Sequence, residues 1–192
     1  MKSERASLQH RPFLIPIWLT AIAAVAAFAV FSFAVVTVWA WFTANSTTIV
    51  VIRHAEKDTA DAADPVLSAA GQARAAFLAH MFGDTQGPGR VDAIYVSDTL
   101  RSRMTAAPLA ARLGLVPIVD GTDEPEGLAR RVLKDNGGKR VMIVGHVNTV
   151  PGIVAALSGR SDIPKIDEHD FGAMYVVTVP RIGHANLVRL SY

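Results

Sequence analysis

The chain has 192 residues, with 19 Lys/Arg against 17 Asp/Glu and no cysteine. Setting aside Lys2, Arg5, Arg11 and Glu4 leaves bases and acids equal at sixteen each. The positive balance therefore belongs to the N-terminal tail, which is no footprint for a nucleic-acid partner. A chain without cysteine cannot be a disulfide scaffold, and it leaves the redox compartment open.

In chain order, residues 1–12 form a short basic flank, followed by an uncharged run at 13–42 in which only Thr20, Ser32 and Thr37 are polar. That run exceeds the ~20 residues a helix needs to span the hydrocarbon core. A cleaved signal peptide has a shorter apolar core of about 7–15 residues and a small-x-small cleavage site. Here Val38-Trp39-Ala40 is a poor match, so a retained transmembrane signal anchor is expected. Trp39, Trp41 and Phe42 suit one interfacial belt and Trp18 the other, while Pro12 and Pro16 mark the helix entry. More basic residues precede the run than follow it closely, which puts the N-terminus in the cytoplasm and the following domain outside it, periplasmic in a Gram-negative cell. Residues 43–48 are a short linker, and 49–192 a single domain.

The domain alternates strand and helix. Ile49 to Ile52, Ala93 to Val96 and Val141 to Val144 are short apolar runs rich in β-branched residues, the pattern of parallel strands buried on both faces. Val116 to Val119 is a further strand. Helices are expected from Ser68, as N-cap, to about Phe82, from Thr99 to Leu113, from Glu126 to Lys134 and from Thr149 to Leu157. Met174 to Val179 and Asn186 to Leu190 read as a closing hairpin. The fold class is α/β, a three-layer α/β/α arrangement with a mostly parallel sheet, preceded by one transmembrane helix.

Three of these strands run directly into chemistry. The first ends in Arg53-His54, the Val141 strand in Gly145-His146, and the Ala93 strand in Ser97 with Arg101 four residues on. Parallel strands end along one edge of an open sheet, where ligands bind. Two arginines and two histidines therefore converge on one crevice. Guanidinium forks bind phosphate oxygens and stay charged at any working pH, and a neutral imidazole can attack phosphorus in line. Asn148, at the start of the helix that follows His146, adds a donor to the same anion site.

Val51-Ile52-Arg53-His54-Ala55-Glu56-Lys57 resembles the R-H signature of the histidine phosphatase superfamily, the phosphoglycerate mutase-like group. Ser97-Asp98-Thr99-Leu100-Arg101-Ser102-Arg103-Met104-Thr105-Ala106 is similar to its second motif, and Val144-Gly145-His146-Val147-Asn148-Thr149 to its third. By that resemblance, closest to the short bacterial phosphatases, His54 is the nucleophile and Arg53, Arg101 and His146 complete the phosphate pocket. Arg103, two residues from Arg101, points about 200° away around a helix, so only one of the two can face the crevice; the family pattern selects Arg101, with Thr105 on the same face. The family's proton-donating acid has no counterpart directly after His146. It is sought instead in the loop Asp120 to Glu126, with Glu124 favoured over Asp123 and Glu126.

The resemblance implies a metal-independent, cofactor-free phosphoric monoester hydrolase of the histidine acid type. It would act on a phosphorylated small molecule or phosphoprotein through phospho-His54. A mutase-like phosphotransferase and a membrane-tethered phospho-ligand binding module are the alternatives. Glu56 and Lys57 read as a solvated loop pair, and Asn148 and Thr149 as helix N-caps. His10, His80, His169 and His184 carry no motif. Asp167-Glu168-His169-Asp170 reads as a polar turn before a strand rather than a metal site.

Overall fold

A computed structural model of the protein describes residues 17–44, 46–58, 63–83, 89–121 and 124–192. The basic flank, Pro12 and Pro16, Asn45 of the linker and Asp123 lie outside the described residues. The chain divides into two compact units, Met1–Trp41 and Phe42–Tyr192.

The apolar run forms α1 (Ile17–Ala44). Among the described residues it contains the one stretch, the 24 residues Trp18–Trp41, that is long and apolar enough to cross a membrane, and none of that stretch is buried inside protein. The Thr37 hydroxyl turns back onto the helix, where it hydrogen-bonds the carbonyls of Phe33 and Ala34, both at 2.9 Å.

The second unit contains, in order, β1 (Thr47–Arg53), α2 (Ala69–Gly83), β2 (Ala93–Val96), α3 (Leu100–Leu113), β3 (Ile118–Val119), α4 (Pro125–Asp135), β4 (Arg140–Gly145), α5 (Val150–Ser158), β5 (Ala173–Val179) and β6 (Asn186–Ser191). One six-stranded sheet has the order β3-β2-β4-β1-β5-β6. The first four strands in that order run parallel, whereas β5 is antiparallel to β1 and β6 antiparallel to β5. The sheet is thus mixed but mostly parallel.

The period of two along each strand sorts the core into two layers. Ile49, Val51, Val141 and Ile143 face one side, where they meet Leu128, Ala129 and Val132 of α4 and Ile153, Val154 and Leu157 of α5. Val50, Ile52, Met142 and Val144 face the other, against Leu78 and Ala79 of α2 and Ala106, Leu109 and Leu113 of α3. Both faces are dry, which explains why β1 and β4 read as unbroken apolar runs.

Most boundaries fall within a residue or two of expectation. The strand expected at 116–119 shrinks to Ile118–Val119, because Pro117 has no N–H for a ladder bond and Val116 stands 87% exposed at the sheet edge. Ser68 caps α2 as expected, its hydroxyl accepting from Gly71 N at 3.1 Å. The cap of α3 comes from elsewhere. Thr99 makes no side-chain cap bond, and the Asp64 carboxylate, from the loop after β1, accepts from Leu100 N at 2.8 and 3.1 Å.

Candidate active site

The parallel strands β1, β2 and β4 end at one edge of the sheet, and the antiparallel β5 begins there. β1 and β4 stay in register through Arg53 and Gly145, and one further bond, His54 N to Gly145 O at 2.9 Å, carries the pairing past the strand ends. It sets the His54 and His146 rings edge to face, with centroids 5.2 Å apart. Space at Gly145 is tight. A Cβ there would stand 3.0 Å from Thr149 Oγ1 and 3.2 Å from Val150 Cγ2.

His54 is almost wholly buried. Its Nδ1 lies 2.8 Å from the carbonyl oxygen of Ala55. A carbonyl only accepts, so Nδ1 carries the proton and Nε2 keeps its lone pair. The imidazole is pushed down to about 4, first by burial and then by the positive fields of His146, Arg101 and Arg53, against an opposing contribution from the Ala55 carbonyl. The ring is therefore neutral at ordinary pH.

Arg53 is buried beside it, and burial also pulls its guanidinium below the usual arginine range. Its Nη1 donates to the carbonyls of Glu168 at 2.6 Å, Asp167 at 3.3 Å and Asp170 at 3.4 Å. The guanidinium carbon lies 3.9 Å from the centre of the Phe171 ring. Arg53 Nε is buried with no hydrogen-bond partner among the described residues, a donor left for a ligand oxygen.

Arg101, on the first turn of α3, lines the same cleft and also touches Asp64, Nη1 to Oδ1 at 3.3 Å. Arg103 is exposed and does not line it, in keeping with helical geometry. Thr105 shares the face of Arg101 but serves the backbone. Its hydroxyl accepts from Ala55 N at 3.0 Å and donates to Arg101 O at 2.8 Å, tying α3 to the loop that carries His54.

Arg53, His54, Arg101, His146 and Asn148 thus share one cleft of about 680 Å³. Glu124 does not. It precedes the first turn of α4, with its carboxylate folded back toward Gly127 and Arg131, and it is absent from the cleft wall. Glu126 is an exposed first-turn acid of the same helix. Glu124 and Glu126 do not reach the cleft because α4 starts at Pro125 and carries both with it. The N-cap expectation for Thr149 also needs revision. Its hydroxyl turns back to accept from His146 N at 3.0 Å instead of capping α5.

Glu56 and Lys57, read as solvated, line the cleft as well. Glu56 is gripped by Arg74, whose Nε reaches both carboxylate oxygens at 3.0 Å and whose Nη2 reaches Oε1 at 2.7 Å. That grip holds the carboxyl below its ordinary range. The residues that sequence reasoning missed are Glu168, His169 and Phe171, which form the remaining wall. Their signal was topological. A polar turn preceding an antiparallel strand opens at the same edge where parallel strands end.

Residues 49–123 match the sequence pattern of the histidine phosphatase superfamily (branch 1). No curated protein matches the chain at a significant level. Among solved structures, the protein histidine phosphatase SixA complexed with tungstate superposes with a TM-score of 0.61 at 17% identity, covering 75% of this chain and 96% of its own. A mycobacterial glucosyl-3-phosphoglycerate phosphatase gives 0.61 at 17% identity, with 77% and 98% covered. A mutant phosphoserine phosphatase from Entamoeba histolytica in complex with phosphoserine gives 0.56 at 17%, with 74% and 95% covered. The second unit of this chain has the fold of these phosphatases, and the stretch that matches the superfamily pattern, residues 49–123, supplies Arg53, His54 and Arg101 to the cleft.

Proposed function

We propose that the protein is a phosphatase that hydrolyses a phosphate ester or related phosphoryl group through a phosphohistidine on His54, and that α1 holds it to a membrane. The observation that carries the reading is the state of His54. Its Nδ1 proton is committed to the Ala55 carbonyl, its Nε2 lone pair is retained, and its ring is kept neutral beside three cationic or polar partners. A neutral nucleophile within a ring of arginines suits in-line attack on a phosphoryl group whose equatorial oxygens carry the charge.

In this mechanism Arg53 Nε, Arg101 and His146 bind the phosphoryl oxygens and Nε2 attacks phosphorus from the side opposite the leaving oxygen. Water then cleaves the phosphohistidine. Hydrolysis, as opposed to transfer to a second substrate, is favoured by the exposure of the rim residues Lys57, Asn148, Glu168 and His169, which leaves the intermediate open to water. The neighbours act on a phosphohistidine protein, a glucosyl-phosphoglycerate and phosphoserine, so a phosphorylated small molecule or phosphoprotein is the substrate class. The anchor reading rests on the length and apolar character of Trp18–Trp41. An extracytoplasmic domain rests on the basic flank that precedes it.

The test is turnover of an aryl phosphate by the full chain in detergent with a chelator present, followed by alkaline quenching to preserve an acid-labile phosphoenzyme. Wild type should turn over and be trapped, and His54→Ala should do neither. Binding of phosphate with no turnover in the folded wild type would instead make the protein a binding module.

A further inference from the structure

The phosphatase reading leaves the leaving oxygen without a proton. When Nε2 attacks, the leaving group departs on the far side of phosphorus, toward the cleft mouth, and an alkoxide leaves poorly unless protonated as the bond breaks. Among the described residues, two that carry a carboxyl line the cleft, Glu56 and Glu168. Glu56 is unsuited. Arg74 holds both its oxygens, and protonation would break a bidentate ion pair for no compensating contact.

Glu168 is placed differently. Its backbone is fastened to the phosphate pocket, since Arg53 Nη1 takes its carbonyl at 2.6 Å. The ring of Phe171, three residues on, lies under the same guanidinium at 3.9 Å and 6.2 Å from the His54 ring centre. Glu168 lines the cleft; its carboxyl accepts no hydrogen bond from a described residue, and its charge acts on the Arg53 guanidinium. The one neighbouring rival, His169, has its Nδ1 3.3 Å from Asp167 Oδ1 and a side chain 96% exposed to solvent. The turn that fixes Arg53 therefore also presents, at the mouth of the site, an acid that no described residue holds by a hydrogen bond.

We propose that Glu168, resting on the phosphatase reading above, is the catalytic proton donor to the leaving oxygen. In the first step His54 Nε2 forms the N–P bond. The P–O bond to the leaving group breaks, its electron pair stays on oxygen, and that oxygen takes the Glu168 proton to depart as the alcohol. In the second step the Glu168 carboxylate takes a proton from water as the water oxygen bonds to phosphorus. The N–P pair returns to Nε2, and inorganic phosphate leaves with Glu168 protonated again.

The test is the dependence of kcat/KM, which reports formation of the phosphoenzyme, on leaving-group basicity. The full chain in detergent is assayed with a series running from 4-nitrophenyl phosphate to simple alkyl phosphates. Glu168→Gln should lose about 10²–10³-fold on the alkyl esters and only a few fold on the nitrophenyl ester, with Glu168→Asp recovering part of the loss. A residue that merely shaped the turn would depress all substrates alike. Equal losses across the series, no loss at all, or the selective loss appearing in His169→Gln instead would overturn the assignment while leaving the phosphatase standing. A wild type inert toward the whole series, with no trapped phosphoenzyme, would overturn both.

Discussion

The role proposed for His54 rests on surroundings that forbid its charge. Burial and the positive fields of His146, Arg101 and Arg53 push its imidazole down to about 4, against ~6.5 for an unperturbed histidine. Between those values the unfolded chain binds a proton that the folded protein refuses. The contribution to stability is therefore fully present above ~6.5 and is lost as pH falls through about 4. Histidine NMR should show one ring titrating near 4 that disappears in His54→Gln, and the fall of Tm between pH 7 and 5 should be shallower in that variant. A His54 midpoint near ~6.5 would contradict the geometry. At the same scale, Thr105 is a positioning residue. Replacing its hydroxyl by a methyl in Thr105→Val leaves the buried Ala55 N–H unpaired, at a cost of about 1–3 kcal/mol. Because the freed loop carries His54, kcat should fall more than KM rises, and thermal unfolding with steady-state kinetics reads both effects.

Among the elements, α2 matters beyond its share of the core. It docks end-on to the catalytic loop. Ser68 N donates to Glu56 O at 2.9 Å, and Gly71 comes so close that a Cβ there would sit 2.1 Å from the same carbonyl oxygen. Arg74, one turn further, holds the Glu56 carboxylate. Gly71→Ala must therefore push α2 off the loop. A loss of about 1–3 kcal/mol from overpacking is expected, together with a drop in activity, whereas Ala70→Ser on the exposed face of the same turn should be near neutral in both. Chemical denaturation compares them. The third strand shows the opposite case, where an element is weaker than its sequence suggests. Val116 to Val119 has strand composition, but Pro117 removes a ladder donor and only Ile118 and Val119 pair with β2.

At the scale of the whole molecule, every member of the two main buried clusters lies between Ile49 and Val177. The second unit thus owns its core. Residues 46–192 expressed alone should stay in solution, unfold cooperatively and retain the wild-type kcat, while the full chain should resist extraction from membranes by alkaline carbonate. Release of the full chain by carbonate would sink the anchor, and loss of activity in the shortened chain would show that α1 contributes more than attachment.

Legibility in the sequence follows the range of the forces involved. The sequence by itself determined the apolar helix, the α/β class and the convergence of Arg53, His54, Arg101 and His146. Each depends on local periodicity plus one rule, that parallel strands end at a common edge. Helical spacing allowed only one of Arg101 and Arg103 to face the cleft, and the family resemblance chose Arg101. Tertiary structure alone decided the rest of the wall. Glu124 looked well placed because its loop follows a strand at the right edge, but where a helix begins is set by packing, and α4 carries Glu124 away. Glu168, His169 and Phe171 looked like an ordinary turn because nothing local announces that β5 runs antiparallel beside β1. Strand direction is fixed by pairing between residues more than a hundred positions apart, and that pairing brings the turn carbonyls onto Arg53. The proposed nucleophile stood out in the sequence because a motif is local, and the wall around it did not, because a wall is made of contacts.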